Sequence, residues 1–193
     1  LERPHRPPAA LVLGGAKAGG DKHRVIAQAE LTPELRQEGY IARTQTDFGW
    51  PEGAGFLLID SDTEMARDEI MGRLLTLCPQ IAQAPILQYD SSSGWLFDAA
   101  TGRELRGQRG LHNLIVIKDA AHAPEAAEVL QKLAFARDDG SAWLEVGNAG
   151  QTLRRSIIDT AAASGPVRLV FSFGADCGPG LDERRPAPEV FNN

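Results

Sequence analysis

The chain has 193 residues, enough for one domain with a sizeable core, and its apolar (42%) and charged (24%) fractions are those of an ordinary globular protein. No apolar run reaches the ~18 residues of a membrane span, no signal peptide is recognisable, and two distant cysteines with four scattered histidines are too few for a zinc knuckle. A net charge of −6 argues against non-specific nucleic-acid binding by the whole surface but leaves room for a local basic groove, and free thiols make a reducing cytoplasm the expected setting.

In chain order, residues 1–10 are proline-rich and read as a tail, and 186–193 read as a linker after a domain spanning 11–185. The absent initiator Met and the proline-rich end suggest a piece cut from a longer protein. Ala10–Leu13 is a short strand candidate. Gly14–Gly20 resembles a phosphate loop only loosely, because Gly20 and Asp21 stand where the Walker pattern needs Lys and Ser or Thr, so it reads as a flexible connection. Residues 22–38 are expected to be helical with a break at Thr32-Pro33, and a strand is expected at 55–60. From Glu64 to Cys78, the spacing of Ile70, Met71, Leu74, Leu75 and Cys78 predicts an amphipathic helix, capped by Asp62 or Thr63 and stopped by Pro79. Strands follow at Ile86–Tyr89 and His112–Ile117, around a polar stretch at 98–110. A helix is predicted over Pro124–Arg137, then strands at 142–146, 156–159 and 167–173. This order implies an α+β (mixed α/β) sheet covered by helices.

The chemistry concentrates at strand ends. Phe56-Leu-Leu-Ile-Asp-Ser-Asp62 stops on two acids one residue apart, so Asp60 and Asp62 share a strand face within reach of one cation. Their mutual repulsion favours a bound divalent ion, and hard oxygen donors suit Mg²⁺ or Mn²⁺ rather than zinc. The plain alternative is a surface turn. His112 stands at the mouth of the most apolar strand after Arg109-Gly-Leu, and Asp159 follows the apolar pair Ile157-Ile158. Three carboxylates can hold two divalent ions, and a histidine with arginines can bind a triphosphate, which together equip a site for nucleotidyl transfer. In an extended segment Arg154 and Arg155 point to opposite faces. Arg43 and Arg168 are further candidates for phosphate or template contacts. Trp50, Trp95 and Trp143 could stack on bases, with core packing the better expectation for Trp143.

Leu57-Leu-Ile-Asp-Ser-Asp62, Gly110-Leu-His112 and Arg155-Ser-Ile-Ile-Asp159 follow one another in an order that resembles the archaeo-eukaryotic primase superfamily. The closest likeness is to the primase–polymerase domains of phage and plasmid replication proteins. The flanks Ala42-Arg-Thr44, Ser91-Ser-Ser93, Gly150-Gln-Thr-Leu153 and Pro166-Val-Arg-Leu169 resemble the same branch, over about residues 40–185. Gly110 departs from the pattern, standing where many relatives have Ser, so no side-chain phosphate contact is expected there. The resemblance implies an RRM-like sheet plus a second small α/β subdomain, with the active site between them. It implies that Asp60, Asp62 and Asp159 hold two Mg²⁺ or Mn²⁺ ions and that His112 binds the incoming dNTP or NTP, with Arg109, Ser91 and Ser93 as neighbours. It further implies a single-stranded DNA template and a helicase domain later in the parent chain. Two rivals remain: a Mn²⁺-dependent glycosyltransferase using Asp-x-Asp, and a catalytically silent nucleic-acid-binding module.

Overall fold

The run before the acids forms strand β1, Gly55–Ser61, and its central apolar residues are buried on both sides: Leu57 and Ile59 face one layer, Leu58 the other. A computed structural model describes residues 10–20, 22–171 and 177–192. After β1 come helix α1 (Arg67–Leu77), strands β2 (Ile86–Asp90) and β3 (Leu111–Ile117), helix α2 (Ala123–Phe135) and, late in the chain, strand β4 (Glu189–Phe191). The strands lie in the order β4-β2-β3-β1, each pair antiparallel.

Both helices cover one face. Ile70, Leu74 and Leu77 of α1 and Ala123, Ala127, Leu130 and Ala134 of α2 share a core with Leu57, Ile59, Ile86, Leu111 and Ile115. Alanines at three of those four α2 positions let that helix lie close to the sheet, and each buried Leu or Ile contributes about 1.5–3 kcal/mol. On the opposite face Leu58, Tyr89 and Leu114 pack beneath Leu13, Ala162 and Val170. Leu13 and Val170 come from or adjoin a two-stranded ribbon, Ala10–Val12 antiparallel to Leu169–Phe171, and Ala162 comes from a short helix, Thr160–Ala163. Gly15–Ala16 pairs with Phe48–Gly49, and Arg24–Ile26 runs parallel to Tyr40–Ala42. The first 40 or so described residues thus form small strand pairs on the side of the sheet away from the helices.

A mixed α/β architecture was the expectation and is what the chain adopts. Several local expectations are corrected. Of the helical stretch expected over 22–38, the second helix starting at Thr32-Pro33 is present as Pro33–Gln37, capped by Thr32, whereas the part before it holds a strand at Arg24–Ile26 and one 3-10 turn at Gln28–Glu30. Helix α1 starts at Arg67 after Ala66, whereas Thr63 Oγ1 accepts from the Met65 N–H, so neither Asp62 nor Thr63 caps it. The polar stretch 98–110 contributes a strand, Glu104–Arg106, to a small sheet with Leu96–Asp98 and Leu181–Glu183. The strand expected at 156–159 ends at Ser156, as the second arm of a hairpin with Ala142–Val146. Within the segment read as a linker, Glu189–Phe191 is a strand of the central sheet. The tail at 1–9 and positions 172–173 of the last predicted strand lie outside the described residues. Among the described residues, no helix is long and apolar enough to cross a membrane.

A buried ion pair fixes the end of β2. Arg67 Nη2 lies 2.5 Å from Asp90 Oδ2, with 0% of the Asp90 side chain exposed, and Arg67 Nη1 reaches Glu189 at 2.8 Å. Arg185 donates to the Asp90 carbonyl at 2.8 Å. The segment leading into β4 is therefore tied to the residue that precedes the Ser91–Ser93 turn.

Candidate active site

Strand register builds the first part of the site. His112 pairs with Asp60 across β3 and β1, and with Tyr89 across β3 and β2, so the three form one row on the face away from the helices. His112 Nε2 lies 3.4 Å from Asp60 Oδ1, and the two side chains are only 11% and 17% exposed. The Tyr89 and His112 rings meet edge to face, 5.1 Å between centroids at 85°. Asp60 Oδ1, His112 Nδ1 and the Tyr89 hydroxyl are buried atoms with no hydrogen-bond partner among the described residues. Such atoms are uncommon in folded proteins and mark a place where a ligand would satisfy them. Burial, reinforced by the Asp60 charge and opposed by Arg185, pushes the Tyr89 phenol well above its usual range, so it stays neutral.

The third acid arrives by a main-chain connection. Ile157 and Ile158 are both buried, Ser61 Oγ donates to the Ile157 carbonyl, and the Asp159 N–H donates to the Asp60 carbonyl at 3.0 Å. Asp159 thus lies beside the last residues of β1. Its Oδ1 accepts from Ala161 N–H at 2.9 Å, capping the short helix Thr160–Ala163. Asp62 feels both neighbours: partial burial first, then the Asp60 and Asp159 charges, raise its pKa, while His112 and Arg155 oppose the rise. The three acids and the histidine share one electrostatic neighbourhood.

A cleft of about 380 Å³ opens over this row, lined by Asp60, His112, Ser91, Ser92, Arg43 and Arg168. It lies between the sheet and the covering ribbon, whose Leu169 and Val170 form part of its wall. Arg43 donates to the Val167 carbonyl at 2.7 Å, which holds it near Arg168. Ser91 Oγ and Ser93 Oγ are 3.1 Å apart, and Ser93 Oγ donates to the Arg109 carbonyl. Ser92 had not been singled out; its place in the serine triplet was the available signal. Arg109 meets this turn through its backbone and its side chain is exposed. Arg154 stacks on Phe135 at 4.3 Å, whereas Arg155 pairs with Glu145 at 2.7 Å. Trp50 and Trp143 pack against the core, while Trp95 sits in the turn region with φ 56° and a buried, unpartnered indole N–H.

Gly110 sits where a side chain would be strained. Its φ is +90°, and a Cβ there would lie 3.1 Å from Ser91 Cβ and 3.3 Å from Asp62 Oδ1. Both its backbone groups are engaged: its N–H donates to the Thr63 carbonyl and its carbonyl accepts from Ser91 N–H. Gly110→Ala is expected to cost about 1–2 kcal/mol, since an L side chain is strained at positive φ. Urea denaturation checks this; a variant as stable as the parent would contradict the assigned strain.

Among the described residues, no group of three or more His, Cys, Asp or Glu side chains is arranged to hold a metal ion. The donor chemistry nonetheless fits a hard divalent cation: Asp60 has a buried, unpartnered oxygen, and the crowded Asp62 carboxylate would gain from a positive charge. Asp159 would complete the set with an oxygen not used as a cap. The chain matches no known protein family, no curated protein and no solved structure in any of the three comparisons made.

Proposed function

We propose that this chain is the catalytic domain of a primase–polymerase, joining dNTPs or NTPs on a single-stranded DNA template. The observation that carries the reading is the pairing of Asp60 with His112, from β1 and β3, in a cleft that also contains Arg43, Arg168 and Ser91, with Asp159 hydrogen-bonded through its main chain to Asp60. The order β1-α1-β2-β3-α2, with β3 between β1 and β2 and both helices on one face, supports an RRM-like core. The small strand pairs across the cleft correspond to the second subdomain of that reading.

In this reading Asp60, Asp62 and Asp159 would hold Mg²⁺ or Mn²⁺, which when bound would supply charge stabilisation at the transferring phosphate and a lowered pKa for the attacking hydroxyl. His112, oriented by Tyr89 and Asp60, donates a hydrogen bond to the triphosphate, and Arg43 and Arg168 neutralise phosphate charge at the cleft wall. The two arginines are also placed to meet a template phosphate. A glycosyltransferase using Asp-x-Asp gives no role to His112 in the cleft or to Asp159 bonded beside Asp60.

Incorporation of a labelled dNTP into a primed template with Mn²⁺ tests the proposal. Asp159→Asn is the informative variant, because asparagine keeps the cap to Ala161 N–H and hence the fold. It is expected to lose incorporation by at least about a hundredfold, the scale of removing one charged ligand. Full activity in that variant, or no incorporation by the parent chain, would overturn the assignment.

A further inference from the structure

A second cavity, of about 660 Å³, is bordered by Tyr40 and Ile41, while Arg43, two residues further on, lines the cleft at Asp60. Its volume suits a nucleotide-sized ligand. The cationic lining consists of Lys22, Arg24 and Arg36, with Glu38 and Asp47 as the acids. Asp47 is committed internally: it accepts from Arg36 at 2.5 Å and from Ala42 N–H at 2.9 Å. Arg36 remains 49% exposed beside it, with N–H groups left to offer. Arg24 is pre-oriented, donating to the Tyr40 hydroxyl at 2.9 Å with its guanidinium 5.3 Å from the ring centroid.

A further atom points to a ligand. His23 borders the same cavity, and its Nε2 is buried without a hydrogen-bond partner among the described residues. A buried imidazole nitrogen in that condition is uncommon, and an oxygen acceptor from a ligand would satisfy it as a donor. Lys22, Arg24 and the outer edge of Arg36 form a local positive site on a chain whose net charge is −6. Guanidinium forks with an ammonium group match phosphate oxygens.

We infer that this cavity binds a phosphate group, belonging either to a nucleic-acid strand or to a free nucleotide, through Lys22, His23 and Arg24. Ile41 lines this cavity and Arg43 the cleft, about 7 Å apart along extended chain, short enough for one bound strand to touch both. The inference does not require catalysis at Asp60.

The test measures binding without divalent ions or dNTP. A fluorescent single-stranded oligodeoxynucleotide is followed by anisotropy across a salt series, and inorganic pyrophosphate by calorimetry, for the whole chain and for a Lys22→Gln/Arg24→Gln variant. If the phosphate belongs to a strand, oligonucleotide affinity falls about tenfold near physiological salt and the log–log salt slope drops by about 1–1.5. If it belongs to a free nucleotide, pyrophosphate binding falls by a similar factor with oligonucleotide binding unchanged. Arg24→Lys, which keeps the charge, should recover most of either loss, and Lys22→Glu alone, at an exposed position, should reproduce its direction. Unaltered binding of both probes in the double variant, or no binding of either by the parent chain, overturns the inference. Dead incorporation with normal cavity binding would count against the catalytic reading alone.

Discussion

Asp62→Asn is expected to abolish nucleotide incorporation, by about a thousandfold or more, while leaving the metal-free protein slightly more stable at neutral pH, an effect that solvent around the exposed side chain keeps small. Loss of activity follows from removing a charged metal ligand in the proposed site. The gain in stability follows from the crowding: partial burial and the Asp60 and Asp159 charges hold the Asp62 pKa above its unfolded value. A carboxyl group shifted upward supports the fold below its unfolded pKa, and that support disappears as pH rises through the folded pKa. At neutral pH the ionised side chain therefore opposes folding, and asparagine relieves it. Below the ordinary aspartate range the two proteins should converge. Thermal melts from acid to neutral pH, run beside the incorporation assay, decide the matter. A variant less stable than the parent at pH 7 would refute the electrostatic reading, and an active variant the catalytic one.

Arg67→Ala is expected to destabilise the fold by about 3–5 kcal/mol, the usual cost of leaving a buried charge without its partner. Asp90 has 0% of its side chain exposed and accepts from Arg67 at 2.5 Å, so truncation strands a carboxylate between α1 and the end of β2. In a domain of this size the thermal midpoint should fall by about 10 °C. Replacing both partners, Arg67→Met with Asp90→Leu, should restore much of the loss because no uncompensated charge remains. Urea denaturation of the three proteins measures the difference. A single variant losing less than about 1 kcal/mol would show that water reaches Asp90. Since Asp90 precedes Ser91, the single variant should also loosen the serine turn beside the cleft.

The parts of the fold that were legible in the sequence are those whose partners lie on a regular face. Ile70, Leu74 and Leu75 announced α1 because helical period alone sets their spacing, and Leu114–Ile117 announced β3 because the run is long and bounded by polar residues. The first part of the helix expected at 22–38, before the break at Thr32-Pro33, failed for a complementary reason. Arg24–Ile26 is held by parallel pairing with Tyr40–Ala42, some 16 residues later, and no local pattern reports such a partner. The second cavity was hidden with it, since Tyr40 and Ile41 come to wall the Lys22-His23-Arg24 stretch only through that pairing. At 156–159 the apolar pair misled: Ile157 and Ile158 are both buried, as in a sheet covered on both faces, yet they belong to a turn between a hairpin and a short helix. Asp60 and His112 were the most readable site residues, because a strand end fixes where a side chain points.

The main-chain bond from Asp159 to Asp60 separates two design problems that would otherwise be coupled. The excursion from α2 to that junction contains a hairpin whose Leu144 and Val146 are 70% and 75% exposed. Anchoring lies at the junction and at the hairpin's base, where Trp143 meets the core and Arg154 stacks on Phe135, so the tip beyond can lengthen, shorten or be exchanged without moving the acid. The protein thus owns an appendage whose shape is adjustable while its chemistry stays in place, a natural spot for a graft.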